Sequence, residues 1–449
     1  MSSRKRLIAG FWATALGPFV TLLVQLVSVP LFLRHWGTHL YGEWLIMSAL
    51  PMYLSISDMG FGSVAGNDMT LRVAVNDYPG ALETFQSTWV LLAGISIAVG
   101  MTALAFILTT PLASWLQIQP LSLREVRLIL ILLSLYSLGV LQASVLLSGF
   151  RSDGHYPLGA LSTNIVRFAE NAGVLAVLVL HGGPLRVAVT LATVRGVGTI
   201  FVSIMLTYTL PWIRFGYAHA TWQRIRQLGR PSFAFVAFPA GNALSVQGMT
   251  LLIGMLMGPV AVATFNPMRT LSRCPYQVID SIKNAVWPEL SAAYGAQKHD
   301  LARKLHRSSC QVAFWFALIA VLGLAAIGPE IFRIWTHGRV TMNVPCFHIL
   351  LLVVVASSLW NTSSAVSVAA NRHELLALQY IVGTSGSLAL GYLLIRHFGL
   401  VGAAYALLAC DIWMGGFVVR ASNELLDDHT IDFVRSMVSL RRLISLSGI

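Results

Sequence analysis

The stretch from 126 to 150 reads VRLILILLSLYSLGVLQASVLLSGF and carries a single charged residue, Arg127. About 20 apolar residues are enough to cross a bilayer as a helix. Similar runs recur along the whole chain of 449 residues, of which 56% are hydrophobic and only 11% charged. An ordinary soluble domain carries about 25% charged residues. This composition excludes a soluble enzyme, a disordered chain and a disulfide scaffold, and it predicts an all-α polytopic membrane protein.

The apolar segments predict twelve transmembrane helices joined by short connections, with no room for a soluble domain between them. The first apolar segment follows MSSRKR and is longer than the apolar region of a signal peptide, so we expect it to be retained as a helix. The predicted helices are 11–33, 41–62, 85–110, 126–150, 158–181, 186–211, 231–256, 259–283, 310–335, 345–370, 374–395 and 399–420.

The charge of the chain, formally +12, is distributed unevenly between the predicted loops. With the N-terminus inside, eighteen Lys and Arg residues fall on the cytoplasmic side and seven on the outer side. This bias predicts a multi-pass protein with both termini cytoplasmic. Basic loops meet anionic lipid headgroups, and no basic run is interleaved with aromatic residues, so we expect membrane lipids and no nucleic acid as partners.

The two halves of the sequence resemble each other weakly. LRHWGTHLYGEW (33–44) aligns with GMLMGPVAVATF (254–265), which matches Gly37 with Gly258. Further along, Asp58 falls at almost the same offset as Asp280. The repeat predicts two pseudo-symmetric six-helix lobes around a central cleft, as some transporters are built. The lobes are expected at 1–211 and 231–420, with a cytoplasmic linker at 212–230 and a cytoplasmic tail at 421–449, of which 431–449 could form a basic amphipathic helix.

The predicted eighth helix carries polar residues at helical spacing, namely Asn266, Arg269, Arg273, Gln277, Asp280 and Asn284. The spacing places them on one face. Three charges facing lipid would cost roughly 9 kcal/mol in total, so they are expected to face protein or water.

The charged residues predicted near mid-depth are four arginines against two acids, which favours an anionic cargo. Two structural alternatives stay open: Arg167 could pair locally with Glu170, and Arg195 could pair with Asp411 of the other lobe. The candidate substrate-binding cations are Arg167, Arg195, Arg269 and Arg273. The candidate polar lining is Gln25, Asn164, Asn242, Asn266, Gln277 and Asn361.

Four acids within the predicted helices are candidates for carrying a coupling proton or sodium ion, because a buried acid can hold a proton. The alternative is that each one only balances an arginine. These acids are Asp58, Glu170, Asp280 and Asp411. The sequence contains no HExxH, P-loop or GxSxG motif, and its four cysteines have no metal-ligand spacing, so we expect no cofactor, no metal and no catalytic residue.

Two segments carry a resemblance to a known family. VSVPLFLRHWGTHLYGEWLIMSALPMYLSISDMGFGSVAGN (27–67) resembles the start of the polysaccharide, or O-antigen, flippases of the multidrug/oligosaccharidyl-lipid/polysaccharide exporter superfamily. ATFNPMRTLSRCPYQVIDSIKNAVWPELS (263–291) resembles the eighth helix of that family, with Arg269 and the Trp287-Pro288 exit. The matching residues of the first segment are Pro30, Gly37, Tyr41, Gly42, Ser57, Asp58, Gly60, Phe61 and Gly62.

The resemblance implies an inner-membrane transporter that moves an undecaprenyl-diphosphate-linked oligosaccharide to the outer leaflet by alternating access. It implies a role in the biosynthesis of O-antigen, lipopolysaccharide or exopolysaccharide, alongside other polysaccharide-assembly proteins. Two alternatives remain. A multidrug or cation antiporter of the same superfamily needs a carboxylate for cation exchange, and the first helix has none. A membrane-embedded glycan polymerase or ligase needs a large outer loop, and the connection 111–125 is short.

Overall fold

The computed structural model describes residues 3–58, 60–115, 118–119, 121–370, 372 and 374–438, and their side chains outside 3–23, 113–114 and 230–237. All regular secondary structure in these residues is helical. The elements are α1 (Ser3–Met52), a 3-10 helix (Tyr53–Asp58), α2 (Phe61–Ala74), α3 (Tyr78–Thr109), α4 (Leu112–Trp115), α5 (Leu123–Ser152), α6 (Tyr156–Val179), α7 (Pro184–Thr209), α8 (Trp222–Ala243), a π-helix (Leu244–Gly248), α9 (Met249–Met257), α10 (Pro259–Ser272), α11 (Tyr276–Gly295), α12 (His299–Trp335), α13 (Val344–Ala369), α14 (Glu374–Phe398), α15 (Leu400–Leu425) and α16 (Thr430–Val438).

Among the described residues, eight helical segments are long and apolar enough to cross a membrane. They are α3, α5, α7, the segment Phe238–Met257, α12, α13, α14 and α15. The predicted class, an all-α multi-pass membrane protein, is therefore confirmed. The predicted helices 11–33 and 41–62 both begin within α1, which continues through the kink at Gly37, and each of the other ten overlaps one helix or consecutive helical segments.

The chain divides into two compact units. Unit 1 comprises Met1–Ala243 and Gly258–Val260, and unit 2 comprises Leu244–Met257 and Ala261–Ile449. Unit 1 thus includes α8, of which the sequence predicts residues 222–230 in the linker and 231–243 in the second lobe. The lobe boundaries at 211 and 231 and the linker between them stay predictions.

The match between Gly37 and Gly258 has a structural counterpart, because both glycines adopt a left-handed backbone conformation, with φ of 72° and 83°. Helical geometry is interrupted at each of them: Gly37 lies at a kink inside α1, and Gly258 separates α9 from α10. A left-handed conformation is easy for glycine because it has no Cβ.

Two predicted helices are not continuous. The predicted helix 41–62 ends its α-helical part at Met52, passes through the 3-10 helix and restarts at Phe61, after Gly60 with a φ of 70°. The predicted helix 259–283 is interrupted at 273–275, where Pro275 has no N–H to donate to the helix. The polar residues 266–284 therefore belong to two helices, α10 and α11, rather than to the face of one.

Other helices are longer than predicted at their N-terminal ends. α3 begins at Tyr78 rather than 85, and α12 begins at His299 rather than 310. A residue with a left-handed backbone lies two positions before each of these starts. It is Asn76, with φ of 62°, before α3 and Gln297, with φ of 58°, before α12. The sequence prediction was based on apolar character, and these extensions are polar.

In unit 1, α2 approaches α5 closely through small residues. A Cβ placed on Gly62 would lie 2.7 Å from the Oγ of Ser144, and one on Gly66 would lie 3.2 Å from the Cβ of Ser148. Small residues at i and i+4 allow two helices to approach, as is common in membranes. Next to this contact, Phe61, Phe85 and Phe150 form part of the buried core of unit 1.

In unit 2, α13 is buried along its C-terminal half although that half is polar. Its buried polar residues are Ser357, Ser358, Asn361, Thr362, Ser363, Ser364 and Ser367. The Ser422 hydroxyl of α15 donates to the carbonyl of Ser363 at 2.9 Å, and His306 of α12 bonds the Ser363 hydroxyl at 2.8 Å. α13 therefore packs between its neighbours through short hydroxylated side chains.

The short helix α16 occupies part of the predicted tail helix, and residues 439–449 lie outside the described residues. α16 docks on unit 2 through Phe433, which stacks on His306 with ring centroids 5.0 Å apart. The Trp315 indole donates to the carbonyl of Met437 at 2.9 Å. Just before α16, Asp428 forms a two-point ion pair with Arg307.

Candidate functional site

The polar centre of unit 1 is an ion pair between α6 and α7. The Glu170 carboxylate lies 2.7 Å from Nε of Arg195 and accepts a hydrogen bond of 2.9 Å from its Nη2. Both residues are buried, with exposed fractions of 3% and 7%. The Tyr136 hydroxyl of α5 donates to the same carboxylate at 3.4 Å, and its ring lies 5.2 Å from the Arg195 guanidinium. Three helices of unit 1 thus meet at one neutralised pair.

This pairing decides between the alternatives that the sequence left open for Arg167 and Arg195. Arg195 pairs with Glu170 of its own unit, because α6 and α7 pack side by side. Arg167 is exposed and forms no ion pair with Glu170, although its charge acts on that carboxylate. Of the two cations predicted in unit 1, Arg195 is therefore neutralised by Glu170, whereas Arg167 is exposed.

In unit 2, Arg269 is buried with an exposed fraction of 7% and is held by the π-helix. Its guanidinium donates to the carbonyls of Ser245 and Val246, at 3.1 and 3.4 Å, and to the Ser245 hydroxyl at 3.3 Å. Short π-helical segments are frequent at functional sites. All of these partners are neutral, so the positive charge of Arg269 is retained.

Arg273 lies in the turn between α10 and α11 and is half-buried. Its guanidinium lies over the ring of Tyr276, 5.1 Å from the centroid. Among the described side chains, no carboxylate oxygen lies within 4.0 Å of Arg269 or Arg273. The two arginines act electrostatically on each other and on Asp411. They form the cationic part of the candidate site.

Asp411 of α15 is oriented by an aromatic neighbour rather than by an arginine. The Trp360 indole of α13 donates to its carboxylate at 2.7 Å. Tyr380 of α14 packs beside Trp360, with ring centroids 5.5 Å apart. An acid, two aromatic rings and two arginines, from four helices and the turn after α10, are therefore near one another in unit 2.

A second polar network of unit 2 joins α11 to α13. The Lys283 ammonium donates to the Asn361 amide oxygen at 3.2 Å, and the Asn361 amide nitrogen lies 3.5 Å from the Asp280 carboxylate. Asn284 also donates to Asp280, at 3.3 Å. The sequence prediction included Asp280 and Asn361 but missed Lys283. The signal was available, because Lys283 is a charge at the end of a predicted membrane helix.

The remaining predicted residues have other contacts. Asp58 is the last residue of the 3-10 helix and accepts a bond of 3.3 Å from the Gly62 amide, at the start of α2. Asn266 accepts from the Thr250 hydroxyl at 3.2 Å, beside the π-helix. Asn164 is half-buried on α6. The predicted lining residues that are exposed within their own units are Gln25, Asn242 and Gln277.

A buried acid that the sequence prediction missed is Glu43 of α1, which is fully buried. Its carboxylate accepts from the Gln119 amide at 2.9 Å and lies 3.4 Å from His39. These contacts tie the segment between α4 and α5 to α1. Within the described residues, no group of three or more His, Cys, Asp or Glu is arranged to hold a metal ion.

Comparisons with known proteins place the fold. No protein-family model and no curated protein matches the sequence. A solved structure titled as the inward-facing conformation of a multidrug resistance MATE family transporter of the MOP superfamily is similar, with a TM-score of 0.76 at 13% identity, over 90% of this chain and 94% of that one. The MATE multidrug transporter DinF-BH in complex with R6G gives 0.71 at 15% identity, over 95% and 98%.

The lipid II flippase MurJ, in an inward closed conformation, is also similar, with a TM-score of 0.69 at 13% identity, over 100% of this chain and 93% of that one. These identities are low, and the likenesses establish the fold. The chain has the fold of the MOP superfamily transporters along nearly its whole length, as the resemblance of its first segment indicates.

Proposed function

We propose that this protein is a flippase that moves an undecaprenyl-diphosphate-linked oligosaccharide from the cytoplasmic to the outer leaflet of the inner membrane, by alternating access, for the biosynthesis of a surface polysaccharide. The observation that carries the proposal is the state of Arg269 and Arg273. Both retain their charge inside unit 2 without a carboxylate within 4.0 Å among the described side chains. Arginine stays protonated and holds phosphate oxygens in a two-point geometry.

The structure supports a division of roles between these arginines. Arg269 has three bonds to neutral groups of the π-helix, so it supplies charge from a fixed position. Arg273 is half-buried and has only an aromatic ring beneath it, so its N–H groups can meet an anion. We assign the diphosphate contact to Arg273 and the supporting field to Arg269. Arg195 is already neutralised by Glu170, and we assign it a structural role.

The fold similarity is consistent with this cargo class, because one protein of the same fold is titled a lipid II flippase. The surface of unit 1 also offers an apolar groove between α6 and α7, lined by Ile165, Ala169, Val194, Val197 and Phe201. A groove of this kind is suited to the hydrocarbon chain of a membrane-borne substrate.

The proposal is tested with the purified full chain in liposomes that contain an undecaprenyl-diphosphate-linked oligosaccharide with a fluorescent sugar. Flipping is followed as the loss of protection from a quencher that cannot cross the bilayer. We expect R273Q to lower the rate about tenfold or more, the effect of losing one charge-assisted hydrogen bond. R269Q should lower it as well.

The matched control is R333Q. Arg333 is exposed and pairs with Glu330 at the C-terminal end of α12, whereas α16 docks on the N-terminal half of that helix. R333Q should flip at the wild-type rate. Wild-type flipping by a folded R269Q/R273Q variant would reject the role of the arginines, and no flipping by the wild-type protein would reject the cargo class.

A multidrug cation antiporter is the second candidate, and a specific observation favours it. Among the described side chains, no arginine nitrogen lies within 4.0 Å of the Asp411 carboxylate, which lies beside the rings of Trp360 and Tyr380. An acid next to aromatic rings is suited to a flat organic cation. Two of the similar structures are titled MATE multidrug transporters. Efflux of a cationic dye that is lost in D411N and kept in R273Q would establish this function instead.

A further inference from the structure

Lys283 is a half-buried cation of α11 that the proposed site does not use. Its ammonium has one hydrogen bond in the structure, to the amide oxygen of Asn361 at 3.2 Å. No carboxylate oxygen of the described side chains lies within 4.0 Å of it. A cation on a membrane helix without a direct counter-ion is costly, so it usually serves a ligand or a network.

The nearest acid, Asp280, acts on Lys283 at a distance and through a bridge. Its charge interacts with the ammonium, and its carboxylate lies 3.5 Å from the amide nitrogen of the same Asn361. Asn361 is therefore oriented from both sides, with its oxygen toward the cation and its nitrogen toward the acid. The bridging amide is itself buried, with an exposed fraction of 4%.

One side of α11 next to this network is open. Gln277, Ser281 and Asn284 are exposed, and Asp280 and Lys283 lie at the border between the exposed and the buried side. Because Asn361 rather than a carboxylate holds Lys283, an anion that reaches the border gains an ion pair and replaces only a hydrogen bond to a neutral acceptor. This geometry favours the replacement of the Asn361 amide by an anion at the Lys283 ammonium.

The position along the helix separates Lys283 from the arginines. Tyr276, beneath Arg273, and Lys283 are seven positions apart, which corresponds to about 10 Å of helix rise. The two cations therefore occupy distinct positions along the chain. Lys283 would therefore be a different point on the path of the anion.

We propose that Lys283 is a second binding point for the diphosphate of the cargo, and that Asp280, through Asn361, is the internal counter-charge that the diphosphate displaces. This inference rests on the proposed function, since it assigns a further residue to the same cargo. When the cargo leaves, Asp280 and Asn361 restore the resting network, so the cation is never left without compensation.

The test measures binding of farnesyl diphosphate, a soluble prenyl diphosphate, to the purified full chain in detergent by titration calorimetry. We expect K283A to weaken binding about tenfold, the loss expected for one charge-assisted hydrogen bond, and K283R to restore most of it. D280N removes the competing charge and should tighten binding severalfold. The matched control K298A removes an exposed lysine and should bind like the wild-type protein.

The double variant K283A/D280N separates displacement from a general change of field. If Asp280 competes for Lys283, the gain from D280N disappears once Lys283 is absent. Weaker or unchanged binding by D280N would overturn the proposal, and this variant is nearly isosteric, so the result does not depend on how well K283A folds. Unchanged binding by a folded K283A would also overturn it.

The outcomes distinguish this proposal from the function on which it rests. If the wild-type protein flips the lipid-linked oligosaccharide and K283A and D280N bind the probe like the wild-type protein, only the role of Lys283 fails. If the wild-type protein neither flips that lipid nor binds farnesyl diphosphate, both fail.

Discussion

The Glu170 carboxylate contacts the Arg195 guanidinium at two points, 2.7 Å from Nε and 2.9 Å from Nη2, between two neighbouring helices of unit 1. Both side chains are buried, so the carboxylate and the guanidinium have both lost their hydration water. Such a pair contributes little net stability, but removing one partner leaves an uncompensated charge.

We expect E170Q and R195M each to destabilise the protein by about 3–5 kcal/mol, because each leaves one buried charge unpaired. The double variant E170L/R195M should recover most of the loss, since apolar residues of similar size can replace a buried pair. The midpoint of thermal unfolding in detergent is the measurement. A double variant that is stable and still transports would establish a structural role, whereas a stable but inactive one would show that the pair serves transport.

The ion pair of Asp428 with Arg307 predicts a pH-dependent docking of α16. Burial would raise the pKa of Asp428, but the hydrogen bonds and charge of Arg307 outweigh it, so the pKa lies below its ordinary value. A lowered carboxyl pKa stabilises the fold above the unfolded value of about 3.9, and the contribution is lost as the pH falls through the folded pKa. Docking should be constant from neutral pH to about pH 5 and weaken below pH 4.

The variant D428N should lose this contribution at neutral pH, and hydrogen exchange of the α16 amides reports it. We expect the amides of Phe433 and Met437 to exchange about thirtyfold faster, which corresponds to a loss of about 2 kcal/mol. D427N is the matched control, because Asp427 is exposed and has a left-handed conformation that asparagine tolerates. Equal exchange in the two variants would show that the ion pair does not hold α16.

The left-handed backbone at Gly37 predicts a penalty for any side chain there. A Cβ on Gly37 would meet no atom within 4 Å, so the cost of G37A comes from its backbone conformation alone, with φ of 72° and ψ of −179°, and should be about 1–3 kcal/mol. G258A should cost a similar amount.

Gly196 of α7 provides the control, because it is helical and a Cβ there would also meet no atom within 4 Å. G196A should stabilise the protein by about 0.5–1 kcal/mol. Thermal unfolding of the three variants gives the comparison. A neutral G37A would mean that the kink in α1 relaxes without cost.

Gln86 is predicted to hold the segment after α7 against unit 1. Its amide nitrogen donates to the carbonyl of Arg214 at 2.9 Å, and its oxygen accepts from the amide of His219 at 2.8 Å. Q86L leaves both backbone groups unpaired, at about 1–3 kcal/mol for each group that stays buried. Exchange of the His219 amide should accelerate in Q86L and stay unchanged in Q223L, which alters an exposed glutamine of α8.

Much of the architecture could be predicted from local pattern. Apolar runs indicated the helices, and Gly37 and Gly258 were matched as equivalent positions that share a left-handed conformation in the structure. The breaks at 53–60 and 273–275 were missed, because the apolar pattern continues through both and only the glycine and proline interrupt the backbone.

The candidate site could be predicted only in part. The sequence singled out Arg269 and Arg273 as charges within a predicted membrane helix, but it also gave Arg195 the same role. Lys283 and Glu43 were passed over because they lie near the ends of predicted helices, where a charge is unremarkable. Trp360 and Tyr380 had no signal of their own, since aromatic residues are common in membrane helices.

The amino-acid sequence by itself determined that the chain is an all-helical membrane protein with charges within its helices, because apolar length and helical period are local properties of the chain. Only the tertiary structure decided which of those charges are neutralised: Arg195 of α7 meets Glu170 of α6, while no carboxylate oxygen of the described side chains lies within 4.0 Å of Arg269. The physical reason is that a side chain within a helix takes its partner from whichever helix packs beside it, and that choice is made by contacts between segments far apart in the chain.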